Sequence, residues 1–260
     1  MRALWLFALA ACGRLEFGRE RVTDGAPTTG DALASDGAPG DAPLDPSLVA
    51  WWRMEGYVGE GEAMGIADST GVTNSLATCS GTTCPAIVPG KLGNAVSFDG
   101  VDDLLEAASM SSLVDDEFTV GAWIEMTRAT TGENVQCAYG KGLGSSIYDS
   151  WSACVFSDLA AYFYSCQTTM SNELDSTTPM TLNAWHYLAI RFDGTTKALF
   201  EDGVLITSNT AAGVDYDDDP VFIGGDVDSG APEGLFNGLI DEVRVYNRAL
   251  SDAEIAALSQ

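Results

Sequence analysis

The chain has 260 residues and a mass of 27.3 kDa, with 38 Asp+Glu against 12 Lys+Arg, a formal charge of -26 and a pI near 4.1. It therefore lacks the basic footprint that nucleic acid or an anionic lipid surface requires, which excludes both as electrostatic partners. Its 46% hydrophobic and 9% aromatic content is enough to bury a core, and the length suits one all-β domain with appendages.

At the N-terminus, Met1 and Arg2 precede an apolar run, Ala3 to Ala11, that ends in Leu9-Ala10-Ala11-Cys12-Gly13. Small residues before a Cys resemble the bacterial lipobox, in which the sulfur is acylated and the preceding segment is removed. The run is too short for a membrane span, which needs about 20 residues. The expectation is a signal peptide over 1–11, with lipidation at Cys12. By the same resemblance, Gly13 stands where Asp would signal inner-membrane retention, so the expected location is the outer membrane or cell surface, reached by the lipid anchor alone. Residues 12–47 are then a tether, because segments such as Ser35-Asp36-Gly37-Ala38-Pro39-Gly40-Asp41-Ala42-Pro43 carry no periodicity of 2 or 3.6 and Pro removes backbone donors.

From Leu48 onward, short β-branched and aromatic runs recur between Gly, Asp, Asn and Ser clusters, the pattern of an antiparallel sandwich. Phe118, Val120, Ala122, Ile124 and Met126 alternate onto one face of a strand, with Thr119, Trp123 and Glu125 on the other. His186, Leu188, Ile190 and Phe192 do the same in a later strand. Ala198-Leu199-Phe200 and Val204-Leu205-Ile206, joined through Asp202-Gly203, predict a hairpin. The helical signal is terminal: Ser251-Asp252-Ala253-Glu254 is a capping box before Ile255-Ala256-Ala257-Leu258.

Five cysteines follow Cys12, and export favours disulfides. Cys79 and Cys84 lie in one Gly/Thr/Ser loop and can close a small ring. Cys137 and Cys154 flank Lys141 to Ser146 symmetrically, so antiparallel pairing sets them opposite each other. Cys166 is left over unless it replaces one of that pair.

Several segments occur in an order that carries a family resemblance: Leu48-Val49-Ala50-Trp51-Trp52-Arg53-Met54-Glu55-Gly56, Asp68-Ser69-Thr70-Gly71, Gly90-Lys91-Leu92-Gly93-Asn94-Ala95-Val96-Ser97-Phe98-Asp99-Gly100, Phe118 to Ile124, Trp185-His186 and Leu239-Ile240-Asp241-Glu242-Val243-Arg244-Val245-Tyr246-Asn247-Arg248-Ala249-Leu250. Together they resemble the laminin-G-like domain of the concanavalin A-like lectin/glucanase superfamily. The resemblance implies an all-β jelly roll of two antiparallel sheets over 48–260, with the first and last strands adjacent and a short C-terminal helix. It also implies a packing role for His186 and a structural Ca²⁺ held by Asp68 and Asp241, with Asp99 and Asp102 as weaker candidates. The runs Asp215 to Asp219 and Asp226-Val227-Asp228 lack EF-hand spacing, and the first reads as a solvated loop.

Hydrolases of the superfamily carry Glu-x-Asp-x-x-Glu on one strand, and no such motif occurs here. The expected function is a surface-tethered, non-catalytic lectin-like module for glycan or extracellular protein. The alternatives are a purely structural or adhesion domain and a divergent glycoside hydrolase. Candidate stacking residues are Tyr148, Trp151, Tyr162 and Tyr164, which flank a predicted hairpin and its loops.

Overall fold

The computed structural model describes residues 44–60, 64–73, 75–108, 117–130, 135–143, 149–167, 170–211, 213–228 and 230–260. The signal, lipidation and most tether positions lie outside these, as does Tyr148. The first strands are β1 (Leu48–Val58), β2 (Gly65–Asp68), β3 (Leu76–Thr78), β4 (Ala86–Pro89), β5 (Asn94–Asp99) and β6 (Leu105–Ala107). The middle ones are β7 (Phe118–Met126), β8 (Val135–Gly142), β9 (Asp149–Phe156), β10 (Ala160–Gln167), β11 (Met170–Pro179) and β12 (His186–Phe192). The last are β13 (Thr196–Glu201), β14 (Val204–Thr210), β15 (Val221–Ile223), β16 (Asp226–Asp228), β17 (Ala231–Glu233) and β18 (Asn237–Tyr246), followed by helix α1 (Asp252–Leu258).

The principal hydrogen-bonded order is β11-β10-β9-β8-β15-β6-β3-β2-β1-β18-β7-β12-β13-β14. This ribbon folds over itself near β2, so β11 to β3 form a front sheet and β1 to β14 a back sheet, the jelly roll expected of the sequence. The first and last strands are neighbours, with Trp52 opposite Val243. Alternation decides what fills the space between the sheets. Val120, Ala122 and Ile124 meet Leu188, Ile190 and Phe192 on the inner face of the back sheet, while Tyr139, Trp151, Val155 and Phe163 come from the front sheet. Phe118 lies at the centre of an aromatic cluster, with ring centroids 5.6 Å from Trp151, 6.2 Å from Phe163 and 6.0 Å from Phe192.

The outer face of the back sheet has its own core. Trp123, Tyr187, Phe200 and Tyr246 are covered by Leu250 and Ile255. Helix α1 lies over them, started by the predicted box in which Ser251 accepts from the Glu254 amide. The hairpin β13–β14 turns at Asp202 and Gly203, whose φ values of 51° and 78° suit a primed turn. The folded unit reaches back past Leu48: the Asp45 carbonyl accepts from Leu48, and the Asp45 side chain accepts from Arg248.

Both expected disulfides are formed. Cys79 bonds Cys84, and Cys137 bonds Cys154 directly across β8 and β9. Cys166 is buried and not disulfide-bonded.

Candidate functional site

The outer face of the front sheet follows from register. Tyr164 lies opposite Glu173 on β11 and Ser152 on β9. Ser152 lies opposite Gly140, Gly140 opposite Phe222, and Phe222 opposite Glu106. Two aromatics are therefore separated by two small residues along one line across the strands, which makes a trough. Tyr162 stands one pleat away, opposite Asp175 and Cys154.

Phe156, Tyr162 and Tyr164 form a ladder on this face, with centroids 4.8 Å and then 6.2 Å apart. All three are partly exposed. Burial, followed by the charges of Glu173, Asp175 and Asp149, raises the Tyr162 phenol above its ordinary value, and a hydrogen bond to Glu173 adds to this. The phenol is thus a neutral donor at physiological pH.

Trp151 does not belong to this surface, contrary to the sequence expectation. It is 1% exposed, because the β9 register turns Ser152 outward opposite Tyr164 and therefore turns Trp151 inward opposite Ser165. Its ring fills the core beside Phe118.

A cleft of about 450 Å³ lies at the other end of the trough, lined by Leu104, Glu106, Gly142, Phe222, Val227 and Pro232 among others. The β16–β17 hairpin forms one wall. At its base Asp226 is hydrogen-bonded to Asp149 of β9, and burial raises the Asp226 carboxyl above the usual range, with Glu233 adding to the effect. Sequence reading passed over Asp149 and Asp226 as a pair because 77 positions separate them and only the hairpin fold brings them together.

Asp68 and Asp241, the expected calcium ligands, sit in contrasting surroundings. Asp68 Oδ1 accepts from the amides of Trp51 and Thr70, and Oδ2 from the amide and hydroxyl of Thr73. Although burial opposes it, these donors and the Thr70 hydroxyl hold the carboxyl below its ordinary value. Asp68 is the organiser of its loop, with its lone pairs committed. Asp241 is the opposite case: it is 0% exposed, its Oδ2 accepts from Leu92 N at 2.8 Å, and its Oδ1 has no hydrogen-bond partner. Burial first, then the neighbouring Glu242 and Glu55 charges, pushes its pKa up to about 7, against the Leu92 and Glu242 amides. Asp241 thus has one buried carboxylate oxygen without a hydrogen-bond partner and feels the charge of Glu55, whereas Asp68 is not among the groups acting on it. Asp99, Asp102 and Asp103 bring one carboxylate oxygen each within 4.8 Å of one another. Asp103, buried and accepting from the Asp99 amide, was not anticipated.

His186 is held by hydrogen bonds, and it lies with Glu201 and Asp202 in a group whose ligand atoms are all within 4.8 Å of one another. Its Nε2 accepts from the Thr181 amide, which leaves Nδ1 to donate to Asp202 Oδ2 at 2.9 Å. The acidic run 215–219 is not merely solvated: the carbonyls of Asp217 and Asp219 accept from Lys141 Nζ at 3.0 and 2.7 Å, capping a lysine that is 0% exposed.

The chain belongs to the Concanavalin A-like lectin/glucanases superfamily, since residues 99–256 match its Laminin_G_3 family. No curated protein matches the sequence. Among solved structures, the binding domain of Paraclostridial Mosquitocidal Protein 1 is similar at 17% identity and a TM-score of 0.61, over 82% of this chain and 52% of that one. Domain 4 of AbnA, an extracellular GH43 arabinanase from Geobacillus stearothermophilus solved with arabinotriose, is similar at 20% identity and a TM-score of 0.60, over 82% and 98%. Trypanosoma rangeli sialidase, solved with the inhibitor DANA, is similar at 15% identity and a TM-score of 0.58, over 85% and 34%. The chain thus spans about half of the first and a third of the last. At these identities the likeness is one of fold.

Proposed function

We propose that this domain is a non-catalytic glycan-binding module whose ligand lies along the outer face of the front sheet, from the Phe156–Tyr162–Tyr164 ladder to the cleft beside Phe222. The observation that carries this reading is the ladder itself. Strand alternation buries large aromatics of the front sheet inside the sandwich, yet three rings stand partly exposed in a line on the other face. Flat apolar rings with hydroxyl and carboxylate groups at their edges are the chemistry that holds sugar faces and sugar hydroxyls. The similar arabinanase domain, solved with arabinotriose, supports the same direction.

Hydrolysis by the Asp149–Asp226 pair is disfavoured by its geometry. Retaining enzymes separate the two groups by about 5–5.5 Å and inverting ones by more. Asp149 and Asp226 are in direct hydrogen-bonding contact, which leaves no room for a sugar carbon or a water between them. The proposal includes a structural Ca²⁺ between Asp241 and Glu55 and a lipid anchor at Cys12 that presents the domain outside the cell, with no nucleic-acid partner.

A glycan array followed by titration calorimetry tests the reading. Specific, saturable binding should weaken by about 3–10-fold in Tyr164→Ala and again in Tyr162→Ala, the range set by loss of one aromatic contact. A clean array with a correctly folded domain would leave the adhesion alternative, and turnover abolished by Asp149→Asn would leave the hydrolase.

A further inference from the structure

Resting on the glycan reading of this site, we infer that its ligand is cationic, an oligosaccharide of unacetylated amino sugar whose ammonium groups sit between the aromatic ladder and the carboxylates of the front sheet.

The basis is where the charges lie. From Leu48 onward the chain has eight basic residues. Arg53 and Arg244 stack on Trp51, Lys91 on Trp123 and Arg191 on Phe200, all on the outer side of the back sheet. Arg248 is held there by Asp45 and Glu254. Lys141 and Lys197 are buried between the sheets, their amines tied to backbone carbonyls. Arg128 lies in the β7–β8 connection, where its carbonyl accepts from Gln136. No strand of the front sheet places a cation on its outer face among the described residues.

The same face carries exposed carboxylates from two of its strands. Glu173 and Asp175 on β11 are exposed and stand directly opposite Tyr164 and Tyr162. Glu106 on β6 is exposed beside Phe222. Glu106 and Asp219 line the cleft, and the buried Asp149–Asp226 pair lies at the foot of the hairpin that walls it, with Glu233 opposite Asp226. An anionic sugar would meet like charge across the whole trough without a guanidinium or ammonium to receive it. A cation meets ring faces flanked by carboxylates, in which ring quadrupole and Coulomb attraction act together. A neutral sugar would gain from the rings but leave the carboxylates idle.

Calorimetry at mildly acidic pH, with oligomers of glucosamine, of N-acetylglucosamine and of galacturonic acid and with oligolysine, separates the outcomes. Expected is a glucosamine oligomer bound at least about 10-fold more tightly than its acetylated form, a difference of about 1.4 kcal/mol, with no binding of the galacturonate. Glu173→Gln and Asp175→Asn should each weaken the glucosamine oligomer by about 2–5-fold, as for loss of a solvent-exposed charge pair. They should leave the acetylated one unchanged. Glu125→Gln, an equal charge change on the back sheet, should have no effect. Equal affinity for both oligomers would overturn the cationic inference while sparing the glycan reading. Oligolysine bound as tightly, with Glu125→Gln as damaging as Glu173→Gln, would overturn it as diffuse polyanion attraction. Absence of binding to any oligosaccharide tested, here and on an array, would remove both.

Discussion

Asp241 and Glu55, on the last and first long strands, support the same loop from two sides: Asp241 Oδ2 accepts from Leu92 N at 2.8 Å, and Glu55 Oε2 accepts from Asn94 N at 3.1 Å. Two carboxylates turned toward one short loop, one of them with an orphaned oxygen, are held apart by repulsion unless a cation or a proton intervenes. A Ca²⁺ that binds only the folded state would stabilise by about 2.7 kcal/mol at 100 times its dissociation constant. Chelation should therefore lower the melting temperature by about 5–11 °C. Superimposable melts with and without chelator, and no metal by elemental analysis, would remove the ion.

The protonation of Asp241 gives that test a second arm. Its folded pKa of about 7 stands above the ordinary 3.8. Such a group contributes stability that is fully present below about pH 4 and is lost as the pH rises through 7. In chelated protein, the difference in unfolding free energy between wild type and Asp241→Asn should change across this window, with the wild type losing ground as the pH rises. Bound calcium should abolish or reverse that slope. A pH-independent difference in the chelated protein would show that Asp241 is not ionising as described.

Lys197 reaches from the back sheet across the sandwich, its amine 4.1 Å from the Phe163 centroid and donating to the Asn172 carbonyl at 2.6 Å. Burial, against the attraction of Glu173 and Asp175, lowers its pKa to about 7. A depressed lysine contributes stability that is present above its unfolded value near 10.4 and is lost as the pH falls through 7. Denaturant unfolding should show Lys197→Met gaining on wild type as the pH falls from about 10 to 7. An unchanged difference over that window would mean the amine stays charged throughout.

What the sequence made legible was whatever a strand's period of 2 or a local cap encodes. The inward set of β7, the Asp202-Gly203 turn, the Ser251 box and the Cys79–Cys84 ring each need only a few neighbouring residues. Cys137–Cys154 was readable because a hairpin has one centre. Trp151 was misassigned since β9 is buried on nearly every residue, so composition alone does not say which face looks inward; only pairing with β10 decides. Glu55, Asp103 and Asp149 were passed over, and Asp226 was weighed only within its own short run, because an acidic residue in so acidic a chain carries no signal until distant strands set it beside a partner. Lys141 and Lys197 were invisible for the complementary reason: nothing local marks a lysine as buried.

The boundary of the folded unit can be read by truncation. Asp45 accepts from the Ser47 amide and hydroxyl and from Arg248, and the Ser47 carbonyl accepts from Asn247. A chain beginning at Leu44 should unfold at the full-length midpoint, whereas one beginning at Leu48 should lose about 0.5–2 kcal/mol, the range for a few partly exposed polar contacts. Equal midpoints would place the boundary at Leu48, and a loss already present at Leu44 would mean that the preceding tether packs on the sandwich.

The proposed anchoring rests on Cys12, and it has a direct test in cells. The native chain should enter the detergent phase and incorporate labelled palmitate, because two or more acyl chains hold a protein at a bilayer where one does not. Cys12→Ser should lose both the label and the partitioning. Unaltered partitioning of Cys12→Ser would end the lipoprotein proposal without touching the binding face.

Trp151 and Tyr164 separate folding from binding on adjacent strands. Trp151 is fully enclosed, with Phe118 5.6 Å away, so Trp151→Ala removes a large ring from a packed interior and leaves a cavity. The expected loss is about 3–5 kcal/mol of unfolding free energy, with ligand affinity per folded molecule nearly unchanged. Tyr164 stands on the outer face with one side of its ring toward Tyr162 at 6.2 Å. Tyr164→Ala removes only partly exposed surface, so its stability cost should stay below about 1.5 kcal/mol while affinity falls. Stability is read by denaturant melts, and affinity by calorimetry on the folded fraction. If Trp151→Ala weakened binding more than Tyr164→Ala did at equal folded concentration, the inward face of β9 would have to communicate with the ligand, and the outer trough would lose its claim to be the site.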